Sequence, residues 1–197
     1  MTTFSGLFGG GGGTGIYTAP HMGYASGKYY NVTALKAGTA TTASALTGNQ
    51  VYYTPVYLHS DVSLDAIVFE NTGTSDSGRK VRVGIYSNQG GAPGALVVAA
   101  GEITIGASGA MNQGSIATTP LARGWYWFAT LTDGSVTARV STAANGLEAT
   151  WGLQGAASAS TGLALVNYAS LTYGALPSTA TAPTSSNLVP VLVARVA

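Results

Sequence analysis

Seven carboxylates (Asp61, Asp65, Glu70, Asp76, Glu102, Asp133 and Glu148) and two histidines (His21 and His59) make up the acid–base inventory of this 197-residue chain. Glycoside hydrolysis needs two carboxyls held about 5 to 10 Å apart across a cleft. No such pair is evident, since each acid stands beside a turn or a strand end, where a solvated role is the default. Asp133 is already accounted for by the turn it shares with Gly134. Nucleophilic catalysis has no Gly-x-Ser-x-Gly elbow, and His59 has no evident serine and acid partner. His59 therefore reads as a strand-end or interface histidine. The expectation is that the chain is not an enzyme.

Metal and cofactor chemistry is as poorly provided for. The chain has no cysteine, which removes thiolate catalysis, disulfides and sulfur-ligated zinc. No histidine–carboxylate spacing suggests a metal centre. The loop Asn71 to Gly78 offers oxygens from Asn71, Thr72, Thr74, Ser75, Asp76 and Ser77, but it lacks the Asp-x-Asp spacing and closing Glu of a calcium loop. Calcium there is a minor alternative. Gly10 to Gly15 matches Gly-x-Gly-x-x-Gly by spacing alone, with no strand before it and no helix after it to aim amides at a pyrophosphate. Gly23 to Tyr29 imitates a phosphate loop but is one residue short, with Tyr29 where a magnesium-binding Ser or Thr belongs. No cofactor is expected. Asn31-Val32-Thr33 is a glycosylation sequon, meaningful only for a chain secreted by a eukaryote.

Binding remains. Trp151, Tyr168 and Tyr173 fall in less regular stretches and could form a platform on which a sugar stacks. A core or trimer-interface role for them is the favoured reading, because aromatics carry burial in such interfaces. Nucleic acid is an unsuited partner: the formal net charge is +1, and five arginines and three lysines are scattered without a stripe to track phosphates.

The elements that must position these residues read as strands. Val51 to Leu58 is β-rich, with Pro55 arguing for an edge or a bulge. Val62 to Glu70 follows, and then Lys80 to Tyr86, with Val81, Val83 and Ile85 on one face. Pro93-Gly94 suits the central positions of a type II turn, and strand-like runs continue at Ala95 to Ala99 and Glu102 to Ile105. Gly124 to Leu131 is apolar on both faces, Trp125, Trp127 and Ala129 against Tyr126, Phe128 and Thr130, which places it inside the fold. Asp133-Gly134 then predicts a type I′ hairpin into Ser135 to Val140. A last strand spans Val189 to Val196. About nine short strands without a 3.6-residue period predict an all-β fold, an antiparallel, jelly-roll-like β-sandwich over residues 48–197.

Residues 1–47 look different, and read as a largely irregular, Gly-rich N-terminal arm. Phe4, Leu7 and Phe8 form an apolar tip ahead of five glycines, Gly9 to Gly13. Such a run is costly to order and reads as a flexible joint or as a stretch ordered only by a partner, so the tip is either a disordered terminus or a docking peg, the peg being the favoured reading. The first residues lack a basic and an apolar region, so no signal peptide is expected, and no run of about 18 apolar residues suggests a membrane helix. A chain made in the cytoplasm is the expectation.

Composition adds one more clue. Eight Lys and Arg and seven Asp and Glu are only about a third of the usual share of charge. That suits a soluble domain with a hydroxyl-rich, β-forming surface or, as the favoured reading, a surface largely covered by copies of the same chain or by a larger assembly. Taken with Tyr52-x-x-Pro55-Val56-x-Leu58, Val83-Gly84-Ile85-Tyr86, Gly91-Ala92-Pro93-Gly94-x-Leu96-Val97, Leu121-x-x-Gly124-Trp125-Tyr126-Trp127-Phe128-Ala129 and Ala175-Leu176-Pro177, the chain resembles the β-sandwich modules of tail-fibre, head-fibre and spike proteins of tailed phages. The similarity covers about residues 48–197. It implies a homotrimeric virion appendage, held to other virion proteins by its N-terminal arm, with a distal domain for host attachment, where a surface glycan is the candidate contact. Coiled-coil, collagen-like and β-helix repeats are missing, which favours a short spike, head fibre or decoration protein over a long fibre. The alternatives are a free carbohydrate-binding module and, more weakly, a depolymerase spike.

Overall fold

Alternation of apolar and polar residues decides which segments pair and which face they bury. The computed structural model describes residues 23–32, 41–142, 166–182, 184–186 and 188–197, and among these it has fourteen strands and no helix. One layer is a large sheet built from β3 (Gln50–Leu58), β5 (Lys80–Gln89), β6 (Ala92–Ala99), β9 (Gly124–Thr132), β11 (Val166–Ser170) and β12 (Thr184–Ser186). Their order is β12-β11-β3-β9-β5-β6, and the short β7 (Ile103–Thr104) also pairs with β5. The facing layer holds two smaller sheets. One orders β1 (Tyr29–Asn31), β14 (Leu192–Val196), β4 (Val62–Glu70) and β8 (Met111–Leu121) as β1-β14-β4-β8. The other orders β13 (Leu188–Pro190), β10 (Val136–Thr142) and β2 (Thr41–Leu46) as β13-β10-β2. Every pair is antiparallel. An isolated bridge, Asn71 to Ala138, and the run from β13 into β14 tie the two smaller sheets into one layer.

The core lies between the layers. Tyr52, Val56, Leu58, Val81, Val83, Ile85 and Phe128 from the large sheet meet Leu64, Ile67, Phe69, Leu192 and Ala194 on one small sheet and Val136, Ala138, Val140 and Val189 on the other. A second cluster covers the opposite face of the large sheet, where Val51, Tyr53, Tyr86, Trp127, Ala129 and Leu131 pack under Leu176. Strand β9 sits between β3 and β5 and feeds both clusters, which is why its two faces are apolar. The sandwich-like, all-β expectation thus holds.

Several local expectations are corrected. The turn between β5 and β6 is Gly90-Gly91, not Pro93-Gly94. Gln89 pairs with Ala92, and both glycines have positive φ, 60° and 87°, as a two-residue hairpin requires. Asp133-Gly134 makes no hairpin: β9 stays in the large sheet while β10 pairs with β2 and β13 in the other layer. Neither residue has positive φ. What Gly134 supplies is close approach, since a Cβ on Gly48 would meet its backbone and a Cβ on Gly134 itself would meet the Arg79 guanidinium. The closing strand is two strands, parted at Val191, whose N–H donates to the Arg139 carbonyl. Strand β8 was not anticipated. Two strands also fall inside the stretch read as arm: β1 pairs with β14 and β2 with β10. Pro55 stands within β3 opposite Trp127 on β9, and among the described residues β11 accompanies β3 from Gln50 to Tyr53.

Candidate functional site

Most of the carboxylates hold the sandwich together. Arg195 donates Nε and Nη2 to the two oxygens of Asp65 at 2.7 and 3.0 Å, and those hydrogen bonds hold the Asp65 carboxyl below its usual range. The Arg195 guanidinium also lies 6.0 Å from the Tyr29 ring centroid. Arg139 reaches Glu70 at 2.8 Å, joining β10 to the end of β4. Glu102 lies 3.4 Å from Arg82 and 3.6 Å from Lys80, and it accepts from the Tyr173 hydroxyl at 3.3 Å. Burial first, and Glu102 second, push the Tyr173 phenol up to about 12. Asp76, buried in the candidate calcium loop, turns its carboxylate inward to accept from the Thr137 N–H at 2.7 Å. Among the described residues no group of three or more His, Asp or Glu side chains could hold a metal ion.

Of the three candidate sugar-stacking residues, the two that the structure describes, Tyr168 and Tyr173, do not share a face. Tyr168 stands opposite Tyr52, with the ring centroids 6.3 Å apart, and packs on the core side of the large sheet. Tyr173 packs on the opposite side of that sheet, with Arg82 5.5 Å from its ring centroid. Trp151, like the arm residues Phe4, Leu7 and Phe8, lies outside the described residues.

The structure instead brings other residues together at one end of the sandwich. Two short connections pass there between the layers, residues 59–61 from β3 to β4 and residues 122–123 from β8 to β9. The Arg123 N–H donates to Asp61 Oδ1 at 2.8 Å and locks one connection to the other. Tyr57 and Trp125 are register partners on β3 and β9, with rings 4.9 Å apart and tilted by 57°. His59 meets Tyr57 edge-on at 5.2 Å, and Arg123 Nε donates to the Tyr57 hydroxyl at 3.0 Å. Tyr57, His59 and Trp125 are half-buried, while Asp61 and Arg123 are exposed. Tyr24 and Tyr30 form a T-shaped pair at 5.0 Å nearby. Burial raises the Tyr24 phenol, against the opposing pull of a hydrogen bond to the His59 backbone. Beside this cluster lies a shallow concavity of about 510 Å³, lined by Asp61, Val62, Ser63, Pro120, Leu121 and Ala122.

Sequence reasoning assigned Trp125 to the interior and His59 to a strand end. Their meeting with Asp61 and Arg123 follows only from the strand register and the pairing of two connections far apart in sequence. Chemically the cluster offers flat apolar rings, an imidazole, a guanidinium and a carboxylate. No protein-family model matches the chain, and no curated protein matches it.

Proposed function

We propose that this chain is a structural component of a tailed-phage virion, a short fibre, spike or decoration subunit that associates with copies of itself as a homotrimer and is attached through its N-terminal arm. The observation that carries the self-association is strand β8. Among the described residues it forms an edge of its sheet, paired with β4 alone, and none of its eleven residues is charged. Edge strands of proteins that stay apart are usually blunted by charge, proline or brevity. Along β8 the exposed side chains are Met111, Gln113, Ser115, Ala117, Thr118 and Pro120, and only Pro120, near one end, is of the blunting kind. Within the same layer charge adds little repulsion, since Arg195 and Arg139 are paired with Asp65 and Glu70 on β4.

This reading assigns no catalytic role and no cofactor. It is tested by the mass in solution, from light scattering coupled to size exclusion. A stable species near three times 19.7 kDa is expected. A clean monomer at high concentration would overturn the self-association. Deleting residues 1–15 is expected to leave a folded domain that no longer joins its particle, and normal incorporation would sink the anchoring role of Phe4, Leu7 and Phe8. A second reading, a carbohydrate-binding module, is favoured by the aromatic cluster at Tyr57 and Trp125.

A further inference from the structure

We infer that the end of the sandwich bearing Tyr57, His59, Asp61, Arg123 and Trp125 is a binding site for a neutral pyranose. A pyranose ring presents a flat patch of C–H groups on one face and hydroxyls around its rim. Recognition therefore needs an aromatic ledge with hydrogen-bonding groups at its margin. Trp125 and Tyr57 supply the ledge, tilted against one another at 4.9 Å and half-exposed. Asp61 and Arg123 supply the margin. One Asp61 oxygen is held by the Arg123 N–H, which leaves the other to accept from a sugar hydroxyl. Arg123 spends Nε on Tyr57, which leaves its exposed terminal nitrogens to donate.

Charge and shape narrow the ligand. One cation and one anion flank the rings, so their fields largely cancel, and an acidic sugar or a phosphate would gain from Arg123 only what it loses at Asp61. A concavity of about 510 Å³ alongside, lined by Asp61, Ser63 and the apolar Val62, Pro120 and Leu121, is of a size that takes a small ligand. The parts are also fixed before any ligand arrives. Tyr57 and Trp125 sit on paired strands, and the two short connections are tied to one another. Such preorganisation avoids the ordering cost that weakens binding by loops. The site is independent of virion assembly: a monomer that binds sugar keeps it, and a trimer that does not loses it.

The test uses the full chain, titrated with the methyl pyranosides of glucose, galactose, mannose and N-acetylglucosamine, with sialyllactose as the acidic comparison. Saturation-transfer NMR reads contact, and intrinsic tryptophan fluorescence reads the ring environment. At least one neutral pyranoside is expected to bind in preference to sialyllactose. Trp125→Ala and Asp61→Asn should each weaken it by about tenfold or more, while Tyr173→Phe, on another part of the sheet, leaves it unchanged. Should Trp125→Ala fail to fold, Arg123→Ala, an exposed position, gives the same reading. Failure of every neutral pyranoside to bind would overturn the site, as would binding that survives Asp61→Asn and Arg123→Ala. Stronger binding of sialyllactose would overturn the assignment to neutral sugars.

Discussion

Removing a single oxygen from Tyr86 should loosen the covering of the large sheet. The Tyr86 hydroxyl donates to the Pro177 carbonyl at 2.8 Å, and the buried ring meets Tyr53 edge-on at 5.3 Å. Around that contact the segment 171–182 is pinned to the sheet. Leu96 N–H donates to the Ser178 carbonyl, Ala180 N–H to the Gly94 carbonyl, and Thr181 N–H to the Tyr53 hydroxyl at 3.3 Å. Tyr86→Phe keeps the ring and its packing but leaves the Pro177 carbonyl without its donor. An acceptor orphaned in this partly buried setting costs about 1–2 kcal/mol. In a chain of this size that lowers Tm by about 2–8 °C. Urea unfolding measures the loss, and hydrogen exchange at Leu96 and Ala180 localises it. Burial, with Tyr53 second, also raises the Tyr86 phenol above its ordinary value. The folded state therefore keeps that proton after the unfolded chain has lost it. The resulting stability is full below about pH 10, the unfolded value, and declines as pH rises beyond it. The gap between wild type and Tyr86→Phe should accordingly narrow above that pH. Tyr126→Phe, which removes an exposed hydroxyl, is the control, with an effect inside about 0.5 kcal/mol. A Tyr86→Phe variant as stable as the control, with unaltered exchange at Leu96 and Ala180, would refute the reasoning.

Three other outcomes are expected. Asp65→Asn should lower stability at neutral pH and flatten the acid limb of an unfolding curve: the depressed Asp65 carboxyl contributes stability above its unfolded value, near pH 4, that is lost as pH falls through the folded one. Gly48→Ala should cost about 1–3 kcal/mol in chemical denaturation, because the new Cβ would lie 2.9 Å from the Gly134 backbone nitrogen and no side chain can move aside. Ser115→Lys combined with Ala117→Lys, two exposed positions on β8, should reduce the mass in solution toward one chain without lowering Tm appreciably, as edge charges oppose pairing; an unchanged mass would remove β8 from the contact between copies.

The strands that could be read from the sequence are those whose own side chains drive burial. Val81, Val83 and Ile85 alternate into the core, and the two apolar faces of Trp125 to Leu131 announce a strand with a cluster on each side. Strand β8 gave no such signal. Its inward residues include Asn112, Gly114 and Ile116, and Gly114 is small because Ile103 and Ala100 fill the space a side chain would need. Asn112 earns its buried place by donating to the Phe69 and Ala110 carbonyls and to Asn71 Oδ1 while accepting from the Gly106 N–H. Polar satisfaction of that kind leaves no hydrophobic period. Strand β2, Thr41 to Leu46, was hidden the same way in a run of Thr and Ala. Asp133-Gly134 misled because a local dipeptide cannot reveal that the next strand belongs to the other layer. The binding cluster was illegible for a related reason: Tyr57 meets Trp125 only through the β3–β9 register, and Arg123 meets Asp61 only where two layer-crossing connections lie side by side.

The passage of residues 188–196 through both small sheets has a consequence for synthesis. Strand β14 is the last of the described strands to emerge, yet it lies between β1 and β4, pairing Tyr29 with Arg195 and Phe69 with Leu192. Until it is made, β4 has one bare edge and the apolar Ile67 and Phe69 lack Leu192 and Ala194 beside them. Translation at about 5–20 residues per second leaves that edge uncovered on the order of ten seconds. A nascent chain in this interval offers a strand template to its neighbours on the same message. Yield of the native protein should therefore depend on crowding of ribosomes as much as on final stability, since the strand that closes the sheet is the last of the fourteen to be synthesised.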